Sequence, residues 1–377
     1  MEQYRQLPLP CYLLEEKKLR QNLELIRGVE EAADCSIILA LKGFAMWSVF
    51  PVIREYLSGC AASSYNEARL IDDYFQGHIH LYAPAYTKDE FPQLSDLADR
   101  ISFNSLGQWE AFSAQALAKG ISCGLRVNPG IHEVETALYN PSGNQSRLGI
   151  AAEELGERLP DGIEGLHVHA LCESPADATA RLIAAVEEKF GQYLADIKWL
   201  NLGGGHLMTS DGYDIDTLVS AIRAFRDRHP HIEVILEPGS AIAWRTGPLL
   251  SSVLDIVHRG GMDIAILDIS ATAHMPDVLE MPYRPEVRDA GEPDMKSYTC
   301  RLGGMTCLAG DVIGDYSFDE KLKVGDLIIF EDMIHYTMVK TTMFNGVQHP
   351  AIAIERTDGS YDVVRQFSYE DYRDRLS

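Results

Sequence analysis

No run of about 18 uncharged apolar residues, the length needed to cross a bilayer, occurs anywhere in the 377-residue chain. The first ten residues also lack a basic stretch followed by an apolar one. Neither membrane spanning nor export is expected, and the protein reads as cytoplasmic. Basic residues are scarce: 33 Lys and Arg stand against 56 Asp and Glu, a formal net charge of −23. That balance argues against nucleic acid and anionic lipid as partners and would draw in a cationic small molecule, although acidity also serves plain solubility. The seven cysteines, at 11, 35, 60, 123, 172, 300 and 307, form no CxxC pair and no metal-ligand spacing. Reduced thiols and no metal centre follow. Low-complexity segments and repeats are missing, and 46% hydrophobic with 24% charged residues is ordinary for a folded enzyme.

What the chain does have is a regular beat. Strand-like apolar runs fall at Ser36–Lys42, Cys60–Ser64, His78–Pro84, Ile101–Asn104, Cys123–Pro129, Gly165–Leu171, Trp199–Gly205 and Glu233–Gly239. Helical-looking stretches separate most of them, among them Met46–Leu57, Asn66–Phe75, Ala176–Phe190 and Ile215–Arg228. Eight strand-then-helix units predict a parallel (β/α)₈ barrel of the α/β class over residues 34–246. Residues 1–33 contribute a short strand from Cys11 and an amphipathic helix, Glu15–Ala33. After Gly247 the texture becomes strand-rich, with runs at Leu249–Val257, Ile264–Ile269, Tyr298–Leu302, Leu327–Phe330, Thr337–Phe344, Ala351–Glu355 and Tyr361–Phe367. These read as an all-β domain formed by residues 247–377 together with 1–33. The longest irregular insertion in the barrel, residues 134–145, carries no assigned role.

Barrel enzymes place reactive groups at the C-terminal ends of their strands. The first run ends in Lys42, which reads either as a solvated charge or as an amine able to form a Schiff base. The sixth ends in His167-Val168-His169, whose alternation sends both histidines to one face. The seventh ends in Gly203-Gly204-Gly205-His206, a tight turn or a nest of backbone N–H groups for an anion. The eighth ends in Glu237-Pro238-Gly239, whose carboxylate could cap a helix or hold a pyridine nitrogen protonated. Each reading has a structural alternative, but their coincidence at the strand ends of one barrel points to a pyridoxal phosphate site.

Together these motifs resemble the fold-type III, alanine racemase-like pyridoxal-phosphate decarboxylases, and the resemblance runs through nearly the whole chain. It implies a barrel plus a β domain working as a homodimer with shared active sites. It further implies that Lys42 carries the cofactor, His169 stacks on its ring, and Gly203, Gly204, Gly205 and Gly239 cradle its phosphate. Glu237 would pair with the ring nitrogen, where racemases have an arginine. Gly304-Met305-Thr306-Cys307-Leu308-Ala309-Gly310-Asp311 resembles the family's C-terminal motif. By that likeness Cys307 donates a proton and Asp311 contacts substrate, both reaching into the neighbouring subunit. Tyr336 would reach the phosphate. Two departures are Cys172, where relatives place a serine, and Ser240, where they place an arginine.

The position after Cys307 is Leu308, where ornithine and diaminopimelate decarboxylases carry an acidic residue. The segment His274–Pro285, with Asp277 and Glu280, resembles the carboxynorspermidine and carboxyspermidine decarboxylases. Its carboxylates would suit the ammonium groups of a carboxylated polyamine, though a solvated acidic loop has the same composition. The expected reaction is decarboxylation of such a polyamine to norspermidine or spermidine. A diaminopimelate- or ornithine-type decarboxylase, or an inactive cofactor-binding homologue, is the alternative.

Overall fold

The computed structural model describes residues 2–131, 133, 140–143 and 145–377, so residues 134–139 and 144 of the expected insertion lie outside the described residues. The chain divides into two compact units, one of residues 22–242 and one of residues 1–21 with 243–377.

The first unit is the barrel. Its parallel strands are Ser36–Ile37 with Leu39–Ala40, then Gly59–Ala62, His78–Tyr82, Arg100–Phe103, Ser122–Asn128, Ile163–His167, Trp199–Asn201 and Glu233–Leu236. The first strand comes in two pieces. Ser36 and Ile37 pair with the last strand, Leu39 and Ala40 pair with the second, and Ile38 joins them to complete the ring. Trp199 closes the interior. With Ile38 and Ile235 it forms a buried cluster, and its indole lies where a Cβ on Gly165 would come within 2.1 Å, so only glycine fits beneath the ring. The indole N–H donates to Ser122 Oγ (2.9 Å), and Glu233 accepts from Ser36 Oγ (2.9 Å) and Arg100 (2.6 Å). One end of the barrel is thus tied shut.

Helix starts follow their caps. Ser64, Ser105 and Asp214 accept the backbone N–H three residues on, opening Tyr65–Leu70, Leu106–Ala118 and Ile215–Arg228. The predicted helix Met46–Leu57 is shorter, a 3₁₀ turn Trp47–Val49 running into Phe50–Ile53, with Pro51 in the first turn where its missing N–H costs nothing.

The second unit is one mixed sheet. In order across it run Val312–Phe318, Tyr298–Gly303, Met262–Leu267, Leu249–Arg259, Cys11–Glu15, Ala351–Glu355 and Tyr361–Arg365, with Leu327–Phe330 also paired to Leu249–Arg259. Leu249–Arg259 serves two neighbourhoods because a bulge between Val253 and Asp255 bends it. The predicted strand Thr337–Phe344 is not one. It folds as two 3₁₀ turns, Met338–Lys340 and Phe344–Gly346, and the backbone turns left-handed just before the run at Tyr336 (43°) and just after it at Asn345 (61°), which ends extended pairing on both sides. The strand Val312–Phe318 was not expected, since Gly314 and Asp315 interrupt its apolar pattern.

Candidate active site

At the C-terminal ends of the barrel strands the predicted barrel residues Lys42, His169, Gly203 to Gly205 and Glu237 come together. Lys42 leaves the first strand in a turn, and its Nζ lies 3.2 Å from His169 Nε2. His169 Nδ1 accepts the Gly204 N–H (2.9 Å). A neutral imidazole bonded that way carries its proton on Nε2, the nitrogen that faces the Lys42 amine. The protein packed around Lys42 and the nearby Arg126 both lower its pKa, against the opposing pull of Glu237, Cys172 and Glu67. Burial first, then Lys42 and Arg126, hold the His169 imidazole well below its ordinary range.

Glu237 stands at the end of the eighth strand. Its Oε1 accepts from Asn201 Nδ2 at 2.6 Å, and its Oε2 lies 3.7 Å from His167 Nε2. Burial raises its pKa, while Asn201, Lys42 and Arg126 pull it back down. Arg126 reaches the same space from the fifth strand: it donates to the His169 carbonyl (3.1 Å) and lies 4.5 Å over the Tyr82 ring.

The glycine turn packs without slack. Gly203 and Gly205 adopt φ of 69° and 92°, and a Cβ on Gly205 would lie 2.3 Å from the Leu171 carbonyl carbon. Asn201 Oδ1 accepts the Gly203 N–H (2.8 Å), and His206 Nδ1 lies 3.0 Å from Thr179 Oγ1 beneath the turn. Gly239 rests against Gly43, where a Cβ would come within 3.1 Å of its Cα. The result is an amine, two imidazoles, a guanidinium and a carboxylate gathered around a side-chain-free backbone cradle. Arg126 and Asn201 were missed from sequence. The signal was available for Arg126, which alternates with Gly124 along its strand and so shares the face over which Trp199 lies.

The other predicted residues belong to the sheet unit. Cys307 is an exposed thiol whose N–H donates to Asn345 Oδ1 (2.7 Å). Asp311 is buried and committed: Oδ1 accepts from Ala271 N (2.7 Å), and Oδ2 from Thr306 N (3.0 Å) and Thr306 Oγ1 (2.6 Å). Asp277 Oδ2 accepts from Tyr283 (2.9 Å) and Thr337 (3.1 Å), while Oδ1 is buried without a partner among the described residues. Glu280 forms an ion pair with Lys340. Tyr336 is half-buried at its positive φ. Among the described residues there is no cluster of His, Cys, Asp or Glu able to hold a metal, and no helix long and apolar enough to cross a membrane.

Residues 36–334 match the family described as pyridoxal-dependent decarboxylase, C-terminal sheet domain. A carboxyaminopropylagmatine decarboxylase of Synechocystis sp. is 52% identical over 98% of this chain and 96% of its own. A carboxynorspermidine/carboxyspermidine decarboxylase of Campylobacter jejuni is 43% identical over 98% of each. The crystal structure of carboxynorspermidine decarboxylase from Campylobacter jejuni, complexed with norspermidine, superposes with a TM-score of 0.91 at 42% identity, covering 98% of this chain and 100% of that one. The diaminopimelate decarboxylase of Helicobacter pylori shares the fold at 17% identity, with a TM-score of 0.81 over 99% of this chain and 98% of its own.

Proposed function

Since the chain belongs to the pyridoxal-dependent decarboxylases with a C-terminal sheet domain, we propose that it removes CO₂ from a carboxylated polyamine, carboxynorspermidine or carboxyspermidine, yielding norspermidine or spermidine. The observation that carries this reading is the near-complete, 43% identical match to a relative named for those two substrates. The 52% identical relative favours a second reading, in which the substrate is carboxyaminopropylagmatine and ends in a guanidinium instead of an ammonium.

The residues present fit pyridoxal 5'-phosphate, the cofactor of the family. A cradle that no Cβ could enter at Gly205 suits the close approach of a phosphate, and a lysine whose charged form burial disfavours suits covalent capture of an aldehyde. Lys42 would hold the cofactor, Gly203, Gly204, Gly205 and Gly239 its phosphate with help from Tyr336, Glu237 its ring nitrogen, and His169 its ring face. When bound, the cofactor supplies the electron sink that accepts the pair left on the substrate's α-carbon as CO₂ departs. Around it the chain's own groups have separate tasks. Arg126 and Tyr82 pack together beside the carboxylate of Glu237 and the His169 backbone. Cys307, exposed and therefore reachable, returns a proton to the α-carbon. Asp277, whose Oδ1 has no partner among the described residues, receives a substrate ammonium, whereas Glu280 must first release Lys340. Asp311 acts by holding the Cys307 loop in shape, since both its oxygens are taken.

Cys307 serves the site of a second subunit in a cytoplasmic homodimer. Mixing inactive Lys42→Ala and Cys307→Ala proteins then restores partial activity, and no recovery after subunit exchange would sink the shared site. The substrate is tested by CO₂ release from carboxynorspermidine, carboxyspermidine, carboxyaminopropylagmatine, diaminopimelate and ornithine, with Lys42→Ala as control. Lys42-dependent release from the first two supports the reading, release from the third alone selects the guanidinium substrate, and release only from the last two overturns both.

A further inference from the structure

One buried group at the mouth has no task in the account above. His167 is 3% exposed, and neither ring nitrogen has a hydrogen-bond partner among the described residues. A phenylalanine of similar shape would fill the space without two unpaired nitrogens, so packing alone does not explain an imidazole. Its surroundings restrict it. The Tyr82 ring meets it edge-on at 5.2 Å between centroids, and Arg126 covers Tyr82 at 4.5 Å. Glu237 Oε2 lies 3.7 Å from Nε2, just beyond hydrogen-bond length, while Oε1 of the same carboxylate is held by Asn201.

We propose that His167 is a positioning residue: its imidazole presents Nε2–H to Glu237 Oε2 and, with Asn201 on Oε1, fixes the orientation of that carboxylate and favours its ionised form.

The electrostatics agree in sign. Burial, then Arg126, Lys42 and His80, keep His167 well below its ordinary range, so it meets Glu237 as a neutral donor. Burial pushes Glu237 the other way, toward the protonated acid, and donors to its oxygens oppose that push. The groups facing the pair are Lys42, Arg126 and His169 at the mouth, Tyr82 and His80 on the third strand, and Asn201 on the seventh. Lys42 and Arg126 favour the carboxylate without orienting it, because a charge at a distance has no preferred lone pair. Orientation comes from Asn201 and His167.

The inference rests on Glu237 facing the cofactor ring only for its catalytic consequence, and its first test needs no cofactor. Infrared titration of the full-length, cofactor-free protein, with Glu237→Gln as the subtraction reference, follows the protonated carboxyl band of Glu237. His167→Phe should raise the midpoint by about one pH unit, a tenfold change in the proton equilibrium. His167→Gln, which keeps an N–H donor, should recover most of the shift. Thermal melting confirms folding, and His167→Leu replaces the phenylalanine variant if that one does not fold. An unchanged midpoint in a folded His167→Phe or His167→Leu protein overturns the proposal. The same variants are then loaded with pyridoxal phosphate and the pH midpoint of the bound cofactor's absorption is measured. A shift in the first titration without one in the second keeps the His167 assignment and removes Glu237 as the ring's partner.

Discussion

Replacing Gly205 with alanine should weaken pyridoxal phosphate binding by an amount set by two features of the turn. Gly205 sits at φ 92°, and an added methyl would lie 2.3 Å from the Leu171 carbonyl carbon and 2.4 Å from its oxygen. Holding a residue with a side chain in such a conformation costs about 1–3 kcal/mol. The contact with Leu171 blocks local relief, because it is made with backbone atoms and not with the end of a flexible side chain. The turn must therefore lift, taking with it the Gly204 N–H that bonds His169 Nδ1. If the cofactor needs the unlifted turn, the strain appears in its dissociation constant, about five- to 150-fold at 25 °C. Gly212→Ala is the control: its φ of 77° imposes similar strain, but nothing lies within 4 Å of the new methyl and the residue is outside the cradle. Equilibrium dialysis of pyridoxal phosphate against the two variants should show a loss for Gly205→Ala only. Equal affinities would refute the reasoning, since a turn that accepts a methyl without consequence is not the cradle.

Asp311→Ala should lower stability by about 2 kcal/mol or more, because it strands the buried N–H of Ala271 and the half-buried N–H of Thr306. A denaturant midpoint like that of the parent protein would contradict this. Acid should also weaken the fold through two buried histidines, His206 and His274, whose pKa values are depressed from 6.5 to about 4 by burial first of all. The unfolded chain binds these protons first, so their contribution is fully present above about pH 6.5 and is lost as pH falls toward 4. His206→Asn should flatten that part of the stability profile measured by urea unfolding at successive pH values, and an unaltered slope would count against it. Trp199→Ala should cost about 3–5 kcal/mol by opening a cavity inside the barrel, read as a lower melting temperature.

The barrel was legible in the chain because each of its strands is an apolar run ending in a turn residue, and the same punctuation picks out Lys42, His169, the glycine turn and Glu237. Structure adds what periodicity cannot carry. Arg126 and Asn201 sit inside strands, where a polar residue reads as a minor break in the pattern, and only the ring of strands brings them to Glu237. Thr337–Phe344 misled for the opposite reason. Its β-branched and apolar residues suit a strand, but Tyr336 and Asn345 take left-handed backbone at either end of it. Asp277 and Glu280 look alike in sequence, as acidic neighbours one helical turn apart. Their partners differ: hydroxyls for the first, the Lys340 ammonium for the second.

The two-piece first barrel strand, and the strand Cys11–Glu15 before it, bear on how the protein is made. Cys11 to Glu15 pair along their length with Ala351 to Glu355, a contact some 340 residues distant, and Ser36 and Ile37 wait for Ile235 and Leu236. On a ribosome delivering about 5–20 residues per second, the barrel can close many seconds before the sheet receives its last strands. Through that interval the apolar segment Cys-Tyr-Leu-Leu has an unpaired edge, the kind of surface that chaperones bind. Nascent chains arrested once residue 242 has cleared the ribosome should therefore hold a closed barrel and a sticky amino-terminal strand, whereas the released protein hides that strand in the middle of its sheet.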